Sequence, residues 1–322
     1  MTHSLTVRPF DWRDLPALHR GRRYSVLLDS ALVLTRGPLL LPGALLSYLA
    51  PSMGVFTSVC NGTEQSEHTL IGQIMHLPGA QLAHLTFLTP HMALDSSALP
   101  ASLDYLATLA GERGAFRLLA DVDEGSFAYE ALRRTSFAIY TRQRIWQLTG
   151  QPKGTTAAAV WRPATTQDSI AIRSLYTNLV PGLVQQVEPY PNRGPQGLVY
   201  RQVGELLAYV ELRYGHRGIW AQPFFHPDIE DVSGKLVELL QHLPYRRSRP
   251  IYLCIRSYQA WLEPAIEEMG AESGPRQAVM VKHLVVPQKS VRMFALPVLE
   301  GGHPEISAPI VRSETKSING TT

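Results

Sequence analysis

Apolar and polar positions along this 322-residue chain switch between two periods, and the switches mark out its elements. Residues 116–122 have the length and bias of a buried strand. Ser126 then caps a short helix with Phe127, Ala131 and Leu132 at helical spacing, and residues 137–148 read as a second strand. The pattern returns 134 positions later: residues 250–256 are strand-like, Trp261, Ala265 and Ile266 form a helical stripe, and residues 276–281 align with 142–147. An earlier stretch is echoed too. Arg8-Pro9, then Asp14, Leu15, Ala17 and Leu18, match Arg162-Pro163, then Asp168, Ile170, Ala171 and Ile172, 154 positions on. Each predicts a strand ending in Arg-Pro and a helix with an acid at its start. Two echoes in one order predict a duplication, the first copy carrying about 20 more residues between its first helix and its late strand.

In chain order the first copy predicts a strand at 5–8, a helix from 11 to about 28, and a second helical region running to Pro51. A hairpin of strands at 55–60 and 69–76, a strand at 81–89 and a helix at 98–112 precede the organising strand–helix–strand. The Gly, Pro and Lys composition of 149–156 marks a linker, which gives domains at 1–150 and 157–290 and a tail at 291–322. In the second copy the Pro- and Gly-rich stretch 181–197 reads as a long loop. Strands follow at 197–201, 205–213 and 218–225, then a helix at 231–243 and the second strand–helix–strand. The tail carries a strand pattern at 291–296 and a loose end at 301–322.

Composition changes this picture little. Apolar residues are 45% and charged residues 18%, which is globular. A net charge of +3 gives no concentrated basic face, so nucleic acid is not an expected partner. The arginine clusters Arg20, Arg22, Arg23 and Arg246, Arg247, Arg249 read as solvated surface in preference to phosphate contacts. Cys60 and Cys254 stand one per copy without metal-ligand spacing, which predicts buried reduced thiols, no metal site and a cytoplasmic setting. Residues 37–62 hold no charge over 26 positions, but Pro38, Pro42 and Pro51 interrupt them. A buried helix at 43–50 and a strand explain the stretch better than a membrane span.

The order strand, helices, three antiparallel strands, helix, strand, helix, strand, with its Arg-Pro-x4-Asp opening, resembles the GNAT superfamily of acyltransferases over about 5–148 and 160–286. The resemblance implies an α/β fold of two tandem GNAT-like domains, each a mixed, mostly antiparallel sheet flanked by helices. It also implies acyl-CoA, such as acetyl-CoA, lying where two central strands splay apart, with its pyrophosphate on the amides that open the next helix. The family writes that loop Q/R-x-x-G-x-G/A. Here Ala93, Ser96 and Ala98 hold those places in the first copy, and Glu230, Ser233 and Lys235 in the second. The cofactor-binding candidates are therefore Ser96, Ser97, Ala98, Ser233, Gly234 and Lys235, with the first copy favoured because Glu230 and Asp231 would repel phosphate. The place of the family's tyrosine acid falls on Leu132 and Ile266, with Tyr129 one turn earlier. His84 and His226 are the candidate general bases by pKa and position on the strands before the loops.

Three functions follow from the resemblance. One is N-acyl transfer from acyl-CoA to an amine of a small molecule or protein. The second is a degenerate pair serving as a small-molecule sensor or protein-binding module. The third, an aminoacyl-tRNA-dependent transferase, needs a basic groove that a +3 chain does not suggest.

Overall fold

The computed structural model describes residues 5–61, 69–150, 152, 161–190, 194–241 and 243–284. Its first half runs β1 (Thr6–Pro9), α1 (Leu15–Gly21), β2 (Val26–Leu27), α2 (Ser30–Arg36), α3 (Leu40–Leu49), β3 (Val55–Asn61), β4 (Leu70–Met75) and β5 (Leu82–Thr89). It continues through α4 (Ala98–Glu112), β6 (Arg117–Asp123), α5 (Phe127–Arg134) and β7 (Ala138–Leu148). The second half follows with β8 (Arg162–Pro163), α6 (Ser169–Leu179), α7 (Gly182–Val187), β9 (Gly197–Gln202), β10 (Glu205–Tyr214) and β11 (Ile219–Phe225). It ends in α8 (Val232–Gln241), β12 (Ile251–Arg256), α9 (Glu263–Glu268) and β13 (Glu272–His283).

The architecture is α/β: a mixed, mostly antiparallel sheet flanked by helices on both faces. Leu99, Leu103 and Leu106 of α4 pack on Ile74, Leu85 and Leu118, and Leu236, Leu239 and Leu240 of α8 pack on Val210, Ile219 and Leu253. Each buried leucine contributes about 2 kcal/mol. The opposite face is covered by α1 and α3 in the first half, through Leu18 and Ala44, and by α6 and α7 in the second, through Ile172, Leu175 and Val184.

Two separate sheets of about seven strands were the expectation; a single sheet runs in the order β1-β3-β4-β5-β6-β13-β7-β12-β11-β10-β9-β8. The final strand of each half has crossed over, so that β13 pairs with β6 and β7 pairs with β12. The β7–β13 register is unchanged when the halves are interchanged at an offset of 134. Glu272↔Gln147 becomes Val281↔Ala138, Ser273↔Trp146 becomes Met280↔Ile139, and Gln277↔Gln143 maps onto itself. The strands' interlocking explains why all the described residues belong to one compact unit, Met1–Pro287.

The Arg-Pro-x4-Asp echo is one ion pair made twice. Arg8 grips Asp14 through two bonds of 2.7 and 2.6 Å, and Arg162 grips Asp168 through two of 2.8 and 2.7 Å. Each aspartate also accepts the backbone N–H that opens its helical turn, Asp11 N at 2.9 Å and Thr165 N at 3.0 Å.

Several expectations need correcting. The first helix stops at Gly21, not near residue 28, because the chain then turns into the sheet as β2. Helix α3 is not buried: only Gly43 and Ala44 are, while Leu45, Leu46, Tyr48 and Leu49 are exposed. The stretch read as a loop after Pro181 contains α7. Cys60 and Cys254 are free and buried, as expected. Arg246 and Arg249 bind main-chain carbonyls of Thr149 and Gly215, which makes that cluster a clamp and not a solvated patch. The strand pattern at 291–296 and the end at 301–322 lie outside the described residues.

Candidate functional site

Parallel pairing between β5 and β6 covers three positions, Leu82↔Arg117, Ala83↔Leu118 and His84↔Leu119, and then stops. In the second half β11 and β12 also pair at three, Ile219↔Ile251, Trp220↔Tyr252 and Ala221↔Leu253, before pairing ends. Each parting leaves strand edges whose main-chain groups need partners. The two halves satisfy them differently.

In the first cleft the chain supplies a strand. Val26 and Leu27 pair antiparallel with Leu88 and Phe87, Leu28 N donates to Thr86 O at 2.9 Å, and Asp121 N donates to Leu28 O at 2.8 Å. The segment thus bridges β5 to β6. Ser30 anchors its end, donating from N to Asp121 Oδ2 at 3.1 Å and from Oγ to Gln277 Oε1 at 3.0 Å. Asp29 caps α2 by accepting from Leu32 N at 2.9 Å. Burial, then the neighbouring Asp29, pushes the Asp121 carboxyl above its ordinary pKa.

In the second cleft side chains close the edge. Ile219 N points to Pro250 O and His226 N points the other way, to Leu207 O, so positions 221, 223 and 225 also turn their main-chain groups toward β12. Position 223 is proline and has no N–H. Phe225 N donates to Gln259 Oε1 at 2.9 Å, and Gln259 Nε2 returns a bond to Phe225 O at 3.2 Å from a side chain 2% exposed. Just beyond α7, Glu188 accepts from Arg256 Nη2 at 3.0 and 3.2 Å and from Tyr140 OH at 2.7 Å. Burial raises the Glu188 carboxyl, but Arg256 and then Tyr140 outweigh it and hold the pKa below its ordinary value. In the same layer burial pushes the Cys254 thiol up to about 12.

His84 stands at the last paired position of β5, at the apex of the first cleft, with Nδ1 4.0 Å from Asp29 Oδ2. His226 lies just past β11, and its ring turns back on its own turn, accepting at Nδ1 from Asp228 N at 3.3 Å. Ser96, Ser97 and Ala98 open α4. Ser96 Oγ accepts from Ala98 N at 3.3 Å, Ser97 makes no side-chain cap, and Ala98 is fully buried. Asp95 is held by Arg134 at 2.7 Å. At the start of α8, Asp231 places its own carboxylate on Gly234 N at 3.0 Å, and a Cβ on Gly234 would stand 2.0 Å from that carboxylate. Ser233 Oγ reaches Glu268 at 3.5 Å, and Lys235 folds back to Glu238 at 3.4 Å and over the Tyr200 ring. His84 thus stands at the first parting, while Ser96, Ser97 and Ala98 follow the far end of β5; His226, Ser233, Gly234 and Lys235 likewise follow the end of β11. Leu132 and Ile266 are fully buried in the cores of the first and second halves, and Tyr129 is partly buried against the cluster that holds Leu132.

A cavity of about 560 Å³ adjoins the first cleft, walled by Ser25, Val26, Leu27 and Ser30 on one side and by Asp123, Tyr252, Glu272 and Gln277 on others. Among the described residues no group of three or more His, Cys, Asp or Glu side chains could hold a metal ion, and no single helix is long and apolar enough to cross a membrane. The sequence reading missed β2, Gln259, Glu188 and Arg256. Pro223 was the one visible sign, since proline inside a central strand marks an edge left unpaired.

A central parallel pair that parts after three positions, its first strand followed in the chain by a helix, strand, helix and strand, has the layout of a GNAT-type fold. It is shared by a GCN5-related N-acetyltransferase from Sphaerobacter thermophilus, at a TM-score of 0.51 and 11% identity over 87% of this chain and 95% of that one. A tandem GNAT protein from the clavulanic acid biosynthesis pathway aligns at a TM-score of 0.47 and 14% identity, over 87% and 98% of the two chains. A GNAT-family acetyltransferase from Colwellia psychrerythraea aligns at 0.41 and 14%, over 86% and 99%. No family model and no curated protein sequence matches this chain.

Proposed function

We propose that this chain is a duplicated GNAT unit, with copies at 1–150 and 157–290, that transfers an acyl group from acyl-CoA to an amine, and that its donor site is the first cleft. The observation that carries this reading is the parting of β5 from β6 after His84, on the strand that leads into the start of α4. There the Ser96–Ser97–Ala98 turn faces no free carboxylate, because Asp95 is bound to Arg134. A helix start favours a pyrophosphate, and the cap it would displace here is the neutral Ser96 hydroxyl on Ala98 N, not a carboxylate. The second cleft does not fit the donor: Asp231 already occupies the amide of Gly234, and an added anion would meet it at a cost of one to a few kcal/mol, roughly. Duplication is supported by the twofold β7–β13 register and the repeated Arg–Asp pair.

In the transfer the amine nitrogen bonds to the thioester carbon, the C–S bond breaks, and the thiolate leaves with the electron pair. In this reading His84, partly exposed at the cleft apex with Asp29 Oδ2 4.0 Å from its Nδ1, takes the amine proton. A small molecule or a protein amine is the acceptor in this reading, acetyl is the simplest acyl group, and two buried free thiols suit a cytoplasmic setting.

A second reading, a GNAT pair without catalysis that serves as a binding module, is favoured by one observation: both clefts close on the chain's own atoms. Calorimetric titration of the full chain with acetyl-CoA and free CoA, followed by thiol release with a panel of amines, separates the two. Heat and amine-dependent thiol release support transfer; absence of heat with either compound sinks it and leaves the binding module.

A further inference from the structure

We infer that β2 is a self-inhibitory strand, which must leave the edge of β5 before a donor can enter the first cleft. This rests on the acyltransferase reading of that cleft. Its basis is a conflict of occupancy: Leu28 N and Leu28 O hold Thr86 O and Asp121 N, the main-chain groups that the parting of β5 and β6 exposes. A donor's pantetheine arm carries amide groups that can replace those bonds in kind, so the exchange conserves hydrogen bonding.

The strand is built to yield. It pairs over two residues only, Leu27 is 38% exposed, and the preceding Tyr24 is 50% exposed. Leu28 is its single fully buried side chain. Its anchor, Ser30 N on Asp121, is made to a buried carboxyl that also feels the neighbouring Asp29, and burial first and Asp29 second push that carboxyl's pKa up. The second cleft has no such strand: there a buried Gln259 side chain meets the edge at Phe225, and Pro223 lacks an N–H. Residues 25–27 and Ser30 also wall the 560 Å³ cavity, so withdrawal of the strand joins that cavity to the cleft. The strand thereby separates a donor volume from an acceptor volume until both are needed.

Hydrogen exchange of the full chain, read by mass spectrometry with and without free CoA, tests this together with CoA titrations of Val26→Pro and Ser30→Ala. Val26→Pro removes a main-chain donor from β2, and Ser30→Ala removes only the hydroxyl contact to Gln277, so the second variant folds even if the first does not. Expected are faster exchange at 26–28 when CoA binds, continued protection at 86–88, and CoA affinity about tenfold tighter for Val26→Pro and roughly threefold tighter for Ser30→Ala. CoA binding that leaves 26–28 protected, or variants that bind no tighter than the parent, overturns the strand's role. Release of the strand without amine-dependent thiol release removes acyl transfer and keeps the strand. Transfer with the strand still protected does the reverse, and silence from all three proteins removes both.

Discussion

Gln143 and Gln277 face each other across β7 and β13 as Cα partners, and Gln143 Nε2 donates to Gln277 Oε1 at 2.9 Å. They are 134 residues apart, the offset of the internal echo, so the two positions that the echo equates meet at the point about which the β7–β13 register is symmetric. Gln277 Oε1 also accepts from Ser30 Oγ, Gln277 Nε2 donates to Asp123 Oδ1 at 2.9 Å, and Cys254 Sγ donates to Gln143 Oε1.

Gln277→Ala strips partners from three groups near the centre of the sheet. Leaving buried polar groups unpaired costs roughly 1–3 kcal/mol each, partly recovered where water enters. Chemical denaturation should show a loss of about 2–4 kcal/mol in one cooperative transition, because the affected strands belong to both halves. Two separated transitions would contradict the interlocked sheet.

A fragment of residues 1–150 lacks β13 and leaves β6 and β7 without their partners from the second half. It should not form a stable monomer. Size-exclusion chromatography with circular dichroism should find it unfolded or self-associated, since exposed strand edges recruit other strands. A monomeric fragment with a sharp melting transition would refute this.

Asp168 is held by Arg162, and despite the opposing effect of burial its pKa lies well below the ordinary 3.8. Because the folded-state pKa is depressed, the stability it supplies is fully present above the unfolded value and is lost as pH falls below about 4 toward the folded value. Asp168→Asn should therefore lower stability by about 1–3 kcal/mol at pH 7 and flatten the decline between roughly pH 4 and 2. Urea unfolding at a series of pH values reads both. An unchanged slope below pH 4 would assign the acid sensitivity elsewhere.

Ala98 is too buried to accept a charge, so Ser97, exposed at the start of α4, is the usable probe of the donor site proposed there. Ser97→Glu suits the helix dipole and should keep the fold while repelling phosphate. CoA binding should weaken at least tenfold, by 1.4 kcal/mol or more. Lys235→Glu in the second half should leave affinity within about twofold, because that lysine is already paired with Glu238. If only Lys235→Glu matters, the donor site is in the other half.

Much of the fold was legible because local rules and the tertiary structure agreed. Helix α4 has the bounds its leucine stripe predicts, and the Arg-Pro-x4-Asp echo is a bidentate pair in both halves. The misses lie where distant edges decide. Val26-Leu27-Leu28 reads as the end of the helix that starts at residue 11; only the open edge of β5 makes it a strand. Alternation tells which faces a strand presents but not which neighbour it takes, so the exchange of β7 and β13 had no local sign. Gln259 carries no pattern signal in the sequence, yet its amide completes Phe225.

The crossing of the last strands sets an order of events on the ribosome. Strand β6 is synthesised early, but its neighbour β13 arrives later: Asp123 must wait for Gln277, 154 residues downstream. At about 5–20 residues per second that delay is roughly 8–30 s. Throughout it the middle of the nascent sheet shows a bare edge. Completion of the first half is thus decided by the last strand to emerge, and any early stop in translation before residue 272 leaves both halves unfinished.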